Sequence, residues 1–271
     1  MAPAPRTAPI RVGIGGWNYA PWRETFYPPE VKAKDELAYA ASQLTSIEIN
    51  GTFYRTQSPA SFAKWRDETP DGFMFAVKGH RSVTNRAKLA EAGESVRWFL
   101  DSGLAELGPK LGPILWQLPH YKKFDAEDVG AFFAALPGDL GGTPLLHAIE
   151  VRHGTFVDPA FVTLARGAGV AVVYADSVKY PAIADVTGPF VYARLQNAAP
   201  REELGYPPAD LDQWAERCRT WASGGAPADL PLLAAAPEKT PRPTFVYMIN
   251  GAKERAPAAA MSLMARLGQP G

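Results

Sequence analysis

Eight short apolar runs, most of them closing on one or two polar residues, constrain the fold of this chain more than anything else in it. They are 11–17 (RVGIGGW), 46–54 (SIEINGTFY), 73–80 (FMFAVKGH), 114–119 (ILWQLP), 147–153 (HAIEVRH), 171–177 (AVVYADS), 189–196 (PFVYARLQ) and 244–250 (TFVYMIN). Most of the segments between them carry helical patterns. Strands alternating with helices imply a parallel sheet with helices packed outside it. Eight such units predict a single α/β domain, a (β/α)8 TIM-type barrel, with its chemistry where the strands end. The 271 residues fit one barrel, for which about 250 are usual. Residues 1–9 read as a disordered N-terminal tail without the apolar stretch of a signal peptide, and 10–271 as the barrel.

Cap chemistry places the helices. A helix is expected over 34–44. Ser58-Pro59 opens the next, with Ser58 as N-cap and Pro59 in the first turn. The longest helical region is expected over 85–107. Asp125 caps 126–136, Asp158-Pro159 starts 159–168, Asp210 or Asp212 opens a helix to about residue 222, and the last runs from Pro257 to 267. Only about ten residues (KYPAIADVTG) separate the sixth and seventh runs, too few for a crossover helix with its loops, so an irregular short connection is expected there. The Pro- and Ala-rich stretch before the last run reads as a surface excursion.

Charge narrows the partners. Lys plus Arg and Asp plus Glu number 28 each, so no global field recruits nucleic acid or an anionic membrane. No run approaches the ~20 apolar residues of a membrane helix. The single cysteine, Cys218, cannot form an internal disulfide, which suits a reducing, cytoplasmic setting. Its place on a helical pattern reads as packing.

Strand parity then sorts the polar residues. Ile47 and Ile49 alternate with Glu48, Asn50 and Thr52, while Ile149 and Val151 alternate with Glu150 and Arg152. The helix-facing side of a barrel strand is apolar, so Glu48, Asn50, Glu150 and Arg152 are expected to point inward. Lys78, His80, Gln117, Asp176, Arg194 and Asn250 stand at the ends of other runs. Three carboxylates against three cations nearly balance, as they must in a low-dielectric interior where unpaired charge costs several kcal/mol. Any one residue fits a structural plug as well as a site, but a mixed cluster at strand ends points to a site.

The segments GIGGWNYAPWRETFYP, EINGTFYR, FAVKGHR, LGPKLGPILWQLP, AIEVRH and YADS together resemble the YecE-like family, domain of unknown function 72. The likeness runs from about residue 11 to 250. It implies a (β/α)8 barrel but no established activity, and it marks Glu48, Asn50, Thr52, Tyr54, Lys78, Gln117, Glu150, Arg152, His153, Asp176 and Arg194 as matching motif positions. The chain departs from the family at Arg194-Leu195-Gln196-Asn197, where a His-Gly type turn is usual. It departs again at Asn250-Gly251-Ala252-Lys253, where paired Asn or Asn-Asp and a later Asn-Ala are usual. Both point away from one substrate shared by the whole family.

Other motifs weigh less. Gly13-x-Gly15-Gly16 lacks the G-x-G-x-x-G spacing of a dinucleotide loop. Trp17, Tyr19, Trp22, Phe26 and Tyr27 make an aromatic first loop, either a packed lid or a stacking surface for a ring. His80 and His153 could join carboxylates on a metal, although no H-x-H or H-E-x-x-H spacing occurs. His147 begins its strand, at the end of a barrel that serves stability, and His120 follows Pro119 in a loop. No G-x-S-x-G turn is present.

The leading expectation is an enzyme doing acid–base chemistry, without cofactor or metal, on a small anionic polar substrate such as a sugar phosphate or carboxylated sugar. Arg152 and Arg194 would hold the anion with Lys78, while Glu48 and Glu150 exchange protons and Asp176 orients an Arg or acts as second acid. Asn50, Tyr54, Gln117, His153, Trp17 and Asn250 would complete the substrate contacts. One alternative is a divalent-metal phosphoester hydrolase using Glu48, Glu150, Asp176 and His153. Another is a non-catalytic barrel that captures a metabolite or a nucleic-acid end.

Overall fold

Most of the apolar runs yield strands shorter than themselves, because the polar residues closing the run leave the ladder to form the loops of the barrel mouth; the fourth instead begins earlier, at Leu111. A computed structural model describes residues 7–269. In chain order the strands are β1 (Ile10–Gly15), β2 (Ser46–Ile49), β3 (Met74–Lys78) and β4 (Leu111–Gln117). They continue with β5 (Asp139–Leu140), β6 (Thr143–Pro144), β7 (His147–Glu150), β8 (Ala171–Val172), β9 (Tyr174–Asp176), β10 (Val191–Leu195) and β11 (Thr244–Met248). β5 and β6 form a separate antiparallel hairpin. The other nine make one parallel sheet in the order β8-β7-β4-β3-β2-β1-β11-β10-β9.

The last apolar run pairs with the first, Ile10 beside Thr244 through Ile14 beside Met248. The sheet has nine strands rather than the expected eight because the 171–177 run divides at Val173. There the chain changes partners. Val173 N–H still donates to the Ile149 carbonyl (2.9 Å), whereas Ala175 and Asp176 are already in register with Arg194 and Leu195 of β10. The two ends of the sheet are thus consecutive pieces of one run, and the barrel is nearly closed, with the chain itself bridging the gap.

The helices are α1 (Trp22–Thr25), α2 (Glu36–Gln43), α3 (Pro59–Asp67), α4 (Arg81–Thr84), α5 (Gly93–Leu100), α6 (Ala126–Ala134), α7 (Pro159–Ala168), α8 (Pro208–Ala222) and α9 (Ala256–Arg266). Ser58, Asp125 and Asp158 cap α3, α6 and α7 through their side chains. The long helix expected over 85–107 is broken. α5 ends before Gly103, whose φ of 120° no helix continues, and a 3-10 stretch with Pro109 follows. α8 is longest at 15 residues and opens at Pro208 rather than at an Asp, with the fixed φ of proline serving its first turn. Residues 177–190 carry no helix. Among the described residues no helix is long and apolar enough to cross a membrane. Of the expected tail, residues 1–6 lie outside the described residues, while Ala8 donates to the Ala222 carbonyl and the Pro9 carbonyl accepts from Thr244, tying 7–9 to the barrel.

Alternation divides the core in two. The outer layer packs Val12, Ile14, Ile47, Ile49, Phe75, Val77 and Trp116 against the helices. Trp116 lies among Phe99, Phe132 and His147, and its Nε1 donates to His147 Nδ1 (3.1 Å) while His147 Nε2 donates to the Pro137 carbonyl (2.8 Å). His147 is therefore part of the wall. The inner layer holds Ala76, Leu115, Ala148, Val173, Tyr192, Phe245 and Tyr247, with Tyr247 and Ser46 hydroxyls 2.7 Å apart. Small side chains on one arc leave room for two tyrosines on the other. Gly13 belongs to this layer by necessity, since a Cβ there would stand 2.1 Å from the Ser46 carbonyl oxygen. Above this layer the inward positions of β2, β3, β4, β7 and β10 turn polar.

Candidate functional site

Two residues beyond an inner-layer position, five of the strands deliver a polar or charged side chain. Glu48 follows Ser46 on β2, Lys78 follows Ala76 on β3, Gln117 follows Leu115 on β4, Glu150 follows Ala148 on β7 and Arg194 follows Tyr192 on β10. All five are buried, Glu48 and Glu150 completely.

Arg194 joins the two carboxylates across the barrel. Its Nε and Nη2 donate to Glu48 Oε2 and Oε1, both at 3.0 Å, and its Nη1 donates to Glu150 Oε2. Tyr192 Oη donates to Glu48 Oε2 (2.7 Å), Gln117 Nε2 to Glu150 Oε2 (2.8 Å) and Arg152 Nε to Glu150 Oε1 (3.0 Å). Both oxygens of each carboxylate are engaged, as buried anions require. Burial alone would raise the Glu150 carboxyl, but Arg194, Arg152, the Gln117 amide and Lys78 overcome it and hold the group at about 2. Arg194 is held protonated despite its burial by Glu150 and Glu48. A carboxylate so placed is a poor proton acceptor at neutral pH.

Above this bridge opens a cavity of about 360 Å³. Lys78, Gln117, Arg152 and Arg194 line its floor, Asn50 and Tyr54 one side, and Asn250 and Lys253 another. Glu48 and Glu150 do not line it. They lie behind Arg194, so the expectation that they meet substrate directly gives way to a role in holding the two arginines.

The cations toward the cavity are less satisfied than the anions beneath it. Lys78 is 8% exposed, its ammonium 4.3 Å from the centre of the Phe53 ring. No carboxylate among the described residues comes within ion-pairing distance of it. Desolvation, then the neighbouring Arg194, pull its pKa down to about 8. Arg152 uses Nε on Glu150 and rests on the Tyr180 ring at 4.3 Å, while its two Nη groups donate to no described residue. Lys253 sits over Tyr19 (4.4 Å) and Trp22 (5.4 Å), also without a carboxylate partner among the described residues, and burial lowers its pKa. Four cations thus stand against two carboxylates, and the surplus positive charge faces the open space.

Three expected site residues are elsewhere. Asp176 shares the outward face with Tyr174, which packs on Trp214 and Trp221 of α8. It therefore points to the helical layer beside Asn197, and burial raises its carboxyl. Parity within 171–177 puts Val173 and Ala175 inside. Trp17 packs edge-on to Trp65 (5.0 Å) and tilted to Phe75 (6.5 Å), in the outer layer. His153 caps the turn Gly154–Phe156, its Nδ1 accepting from Thr155 N (3.2 Å). His80 likewise caps α4. With Asp176 and His153 outside and both glutamates committed to arginines, the four donors of a metal-dependent hydrolase do not converge. Among the described residues no three His, Cys, Asp or Glu side chains do.

Lys253 and Trp22 escape reading from strand ends because both lie in short helical turns between strands. Trp22 is fully buried, lines the cavity and donates from Nε1 to the Lys253 carbonyl (2.8 Å), locking the first loop to the last. Asn250, next to it, has a φ of 65°, the one left-handed non-glycine among the described residues, and its Nδ2 lies 3.5 Å from Gln196 Oε1. A strained residue at a cavity rim is a recurrent feature of binding sites.

A nearly closed parallel barrel wrapped in helices, with a buried Glu–Arg–Glu bridge under a cationic cavity, defines the class of this protein. The chain belongs to the family described as protein of unknown function DUF72, whose model matches residues 11–271. It is 27% identical over 157 residues to the UPF0759 protein YunF of Bacillus subtilis (strain 168), covering 56% of this chain and 54% of that protein. Over 150 residues it is 27% identical to the UPF0759 protein YecE of Escherichia coli (strain K12), covering 54% and 50%. Each match thus spans about half the length of these curated relatives. Among solved structures, a DUF72 family protein from Thermotoga maritima superposes with a TM-score of 0.73 at 21% identity, covering 96% of this chain and 100% of that one. Another from Enterococcus faecalis gives 0.70 at 17%, covering 97% and 96%. At such identities the likeness speaks for the fold alone.

Proposed function

We propose that the barrel mouth binds a small polar anion, a phosphate ester or carboxylate, and carries out acid–base chemistry on it. The observation that supports this reading is the asymmetry of satisfaction. The carboxylates of the cluster are fully engaged, whereas Lys78, Arg152 and Lys253 present unshared donors to the cavity. Arg152 supplies a planar fork suited to two oxygens of one anion, and the lysines supply point charges. With Glu150 held near 2 and both oxygens of Glu48 engaged by Arg194 and Tyr192, the proton-exchanging role passes to Lys78, whose pKa of about 8 lies close to neutrality. The glutamates position the arginines. The free, buried Cys218 is compatible with a cytoplasmic setting.

A thermal-shift panel tests this. Phosphate esters and carboxylated sugars are expected to raise the melting temperature, and the matching neutral sugars are not. Ligand at about 100 times its Kd adds about 2.7 kcal/mol, or several degrees for a domain of this size. Equal shifts from neutral and anionic members, or none from either, would contradict the proposal.

A further inference from the structure

The chain shows two ways of burying a lysine, and they differ in what they leave free. Lys110 is as buried as Lys78, at 8% exposure. Its ammonium is fully occupied, donating to the carbonyls of Arg66 and Thr69 and to the Thr69 hydroxyl. This is how the fold immobilises a structural ammonium, and it removes the nitrogen from any chemistry. Lys78 has none of this. No described oxygen accepts a hydrogen bond from its nitrogen, which stands over the face of Phe53, 4.3 Å from the ring centre. The side chain opens on the cavity floor beside Arg152 and Arg194. An amine desolvated against an aromatic ring and crowded by cations keeps a neutral fraction at physiological pH, which is how lysine nucleophiles are activated. Here the pKa of about 8 agrees with the geometry.

We propose that Lys78 is a covalent nucleophile that forms an imine with a small anionic carbonyl compound, a 2-oxo acid or a phosphorylated aldehyde or ketone. This rests on the reading of the mouth as an anion site and specifies its substrate class. The anionic group would pair with the free Nη groups of Arg152 and deliver the carbonyl carbon to Lys78. The neutral amine adds its lone pair to that carbon while the carbon–oxygen π electrons move to oxygen, which takes up a proton. One proton of the added nitrogen passes to this oxygen, which leaves as water while the freed nitrogen lone pair forms a protonated carbon–nitrogen double bond. No oxidant or reductant is consumed, and hydrolysis reverses the step. The iminium acidifies the adjacent C–H, so the acid–base chemistry of the site would act on the carbon next to the former carbonyl. Lys253, equally unpaired, stands over Tyr19 and Trp22 at the rim of the same cavity, where a second anionic group would lie.

Borohydride trapping tests the proposal on the intact chain. The protein is incubated at pH 7 with pyruvate, and separately with pyridoxal 5′-phosphate, reduced with sodium borohydride and mapped by peptide mass spectrometry. Reduced adduct is expected at Lys78 at least about tenfold above any other lysine, because a pKa nearer neutrality enlarges the reactive fraction. Mapping the wild-type chain locates the adduct even where a variant fails to fold. Lys78→Arg, which keeps the charge and cannot form an imine, should lose this adduct and leave any at Lys253 unchanged. Labelling spread evenly over the lysines, or absent from Lys78 with both probes, would overturn the proposal. Calorimetric titration with inorganic phosphate separates the two levels. Phosphate binding without an adduct at Lys78 refutes the imine and leaves the anion site standing, whereas neither binding nor adduct refutes both.

Discussion

Replacing Arg194 by Met is expected to destabilise the protein severely. Arg194 closes three hydrogen bonds to Glu48 and Glu150, and both carboxylates are fully buried. Removing it leaves Glu48 with only the Tyr192 hydroxyl as a side-chain partner, and Glu150 with Gln117 and Arg152. Breaking one buried pair by deleting a partner costs about 3–5 kcal/mol, because the remaining charge stays desolvated. Glu48 takes that loss in full and Glu150 in part. At about 2–4 °C per kcal/mol for a large domain, the melting temperature should fall by roughly 10–20 °C. The cause is identified by rescue. Adding Glu48→Gln and Glu150→Gln to Arg194→Met removes the stranded charges and should restore much of the loss, since apolar or neutral replacement of a whole buried cluster is often close to neutral. A single variant that melts within a few degrees of wild type would show that Arg194 does not hold the cluster.

Arg152→Lys should have the opposite profile. Glu150 retains Arg194 and Gln117 when Arg152 is changed, and the lysine preserves the charge, so the melting temperature should move by only a few degrees. The fork of donors over the cavity is lost, however. Hydrogen bonds to charged groups contribute about 1.5–3 kcal/mol, so affinity for a phosphate or carboxylate ligand should drop by about ten- to hundredfold while the protein remains folded. Calorimetry on the two proteins reads this directly. If affinity and melting both stay near wild type, Arg152 is scaffolding for Glu150.

These two residues also show what was legible in advance. Glu48, Lys78, Gln117, Glu150 and Arg194 could be assigned to the interior because each alternates with an apolar neighbour that must face the helices, and the period of a strand leaves no third choice. The same rule, applied to every position of 171–177, would have turned Asp176 outward beside Tyr174. The division of that run at Val173 was not legible, since it depends on which neighbouring strand claims each backbone group. Nor was the allocation of charges. Three carboxylates and three cations suggest a balanced cluster, but only the packed geometry shows that Arg194 takes both glutamates and leaves Lys78 without either. Lys253 and Trp22 belong to single helical turns between strands, too short for a periodicity to tie a side chain to the cavity. Trp17 and Trp22 are equally aromatic in sequence, and the turn at Gly16, with a φ of 77°, precedes the loop that sends one to the outer layer and the other to the cavity.

The most direct test of an anion site floored by Lys78 is a calorimetric titration of sulfate, whose charge is the same at both pH values, into the wild-type protein at pH 7 and again at pH 9.5. Lys78 is mostly an ammonium below its pKa of about 8 and mostly an amine above it, so raising the pH removes one of the charges that attract the ligand. Saturable binding at one site at pH 7, weakened at pH 9.5 and by added salt, is the predicted result. No binding at pH 7, or binding of unchanged strength at pH 9.5, would contradict it.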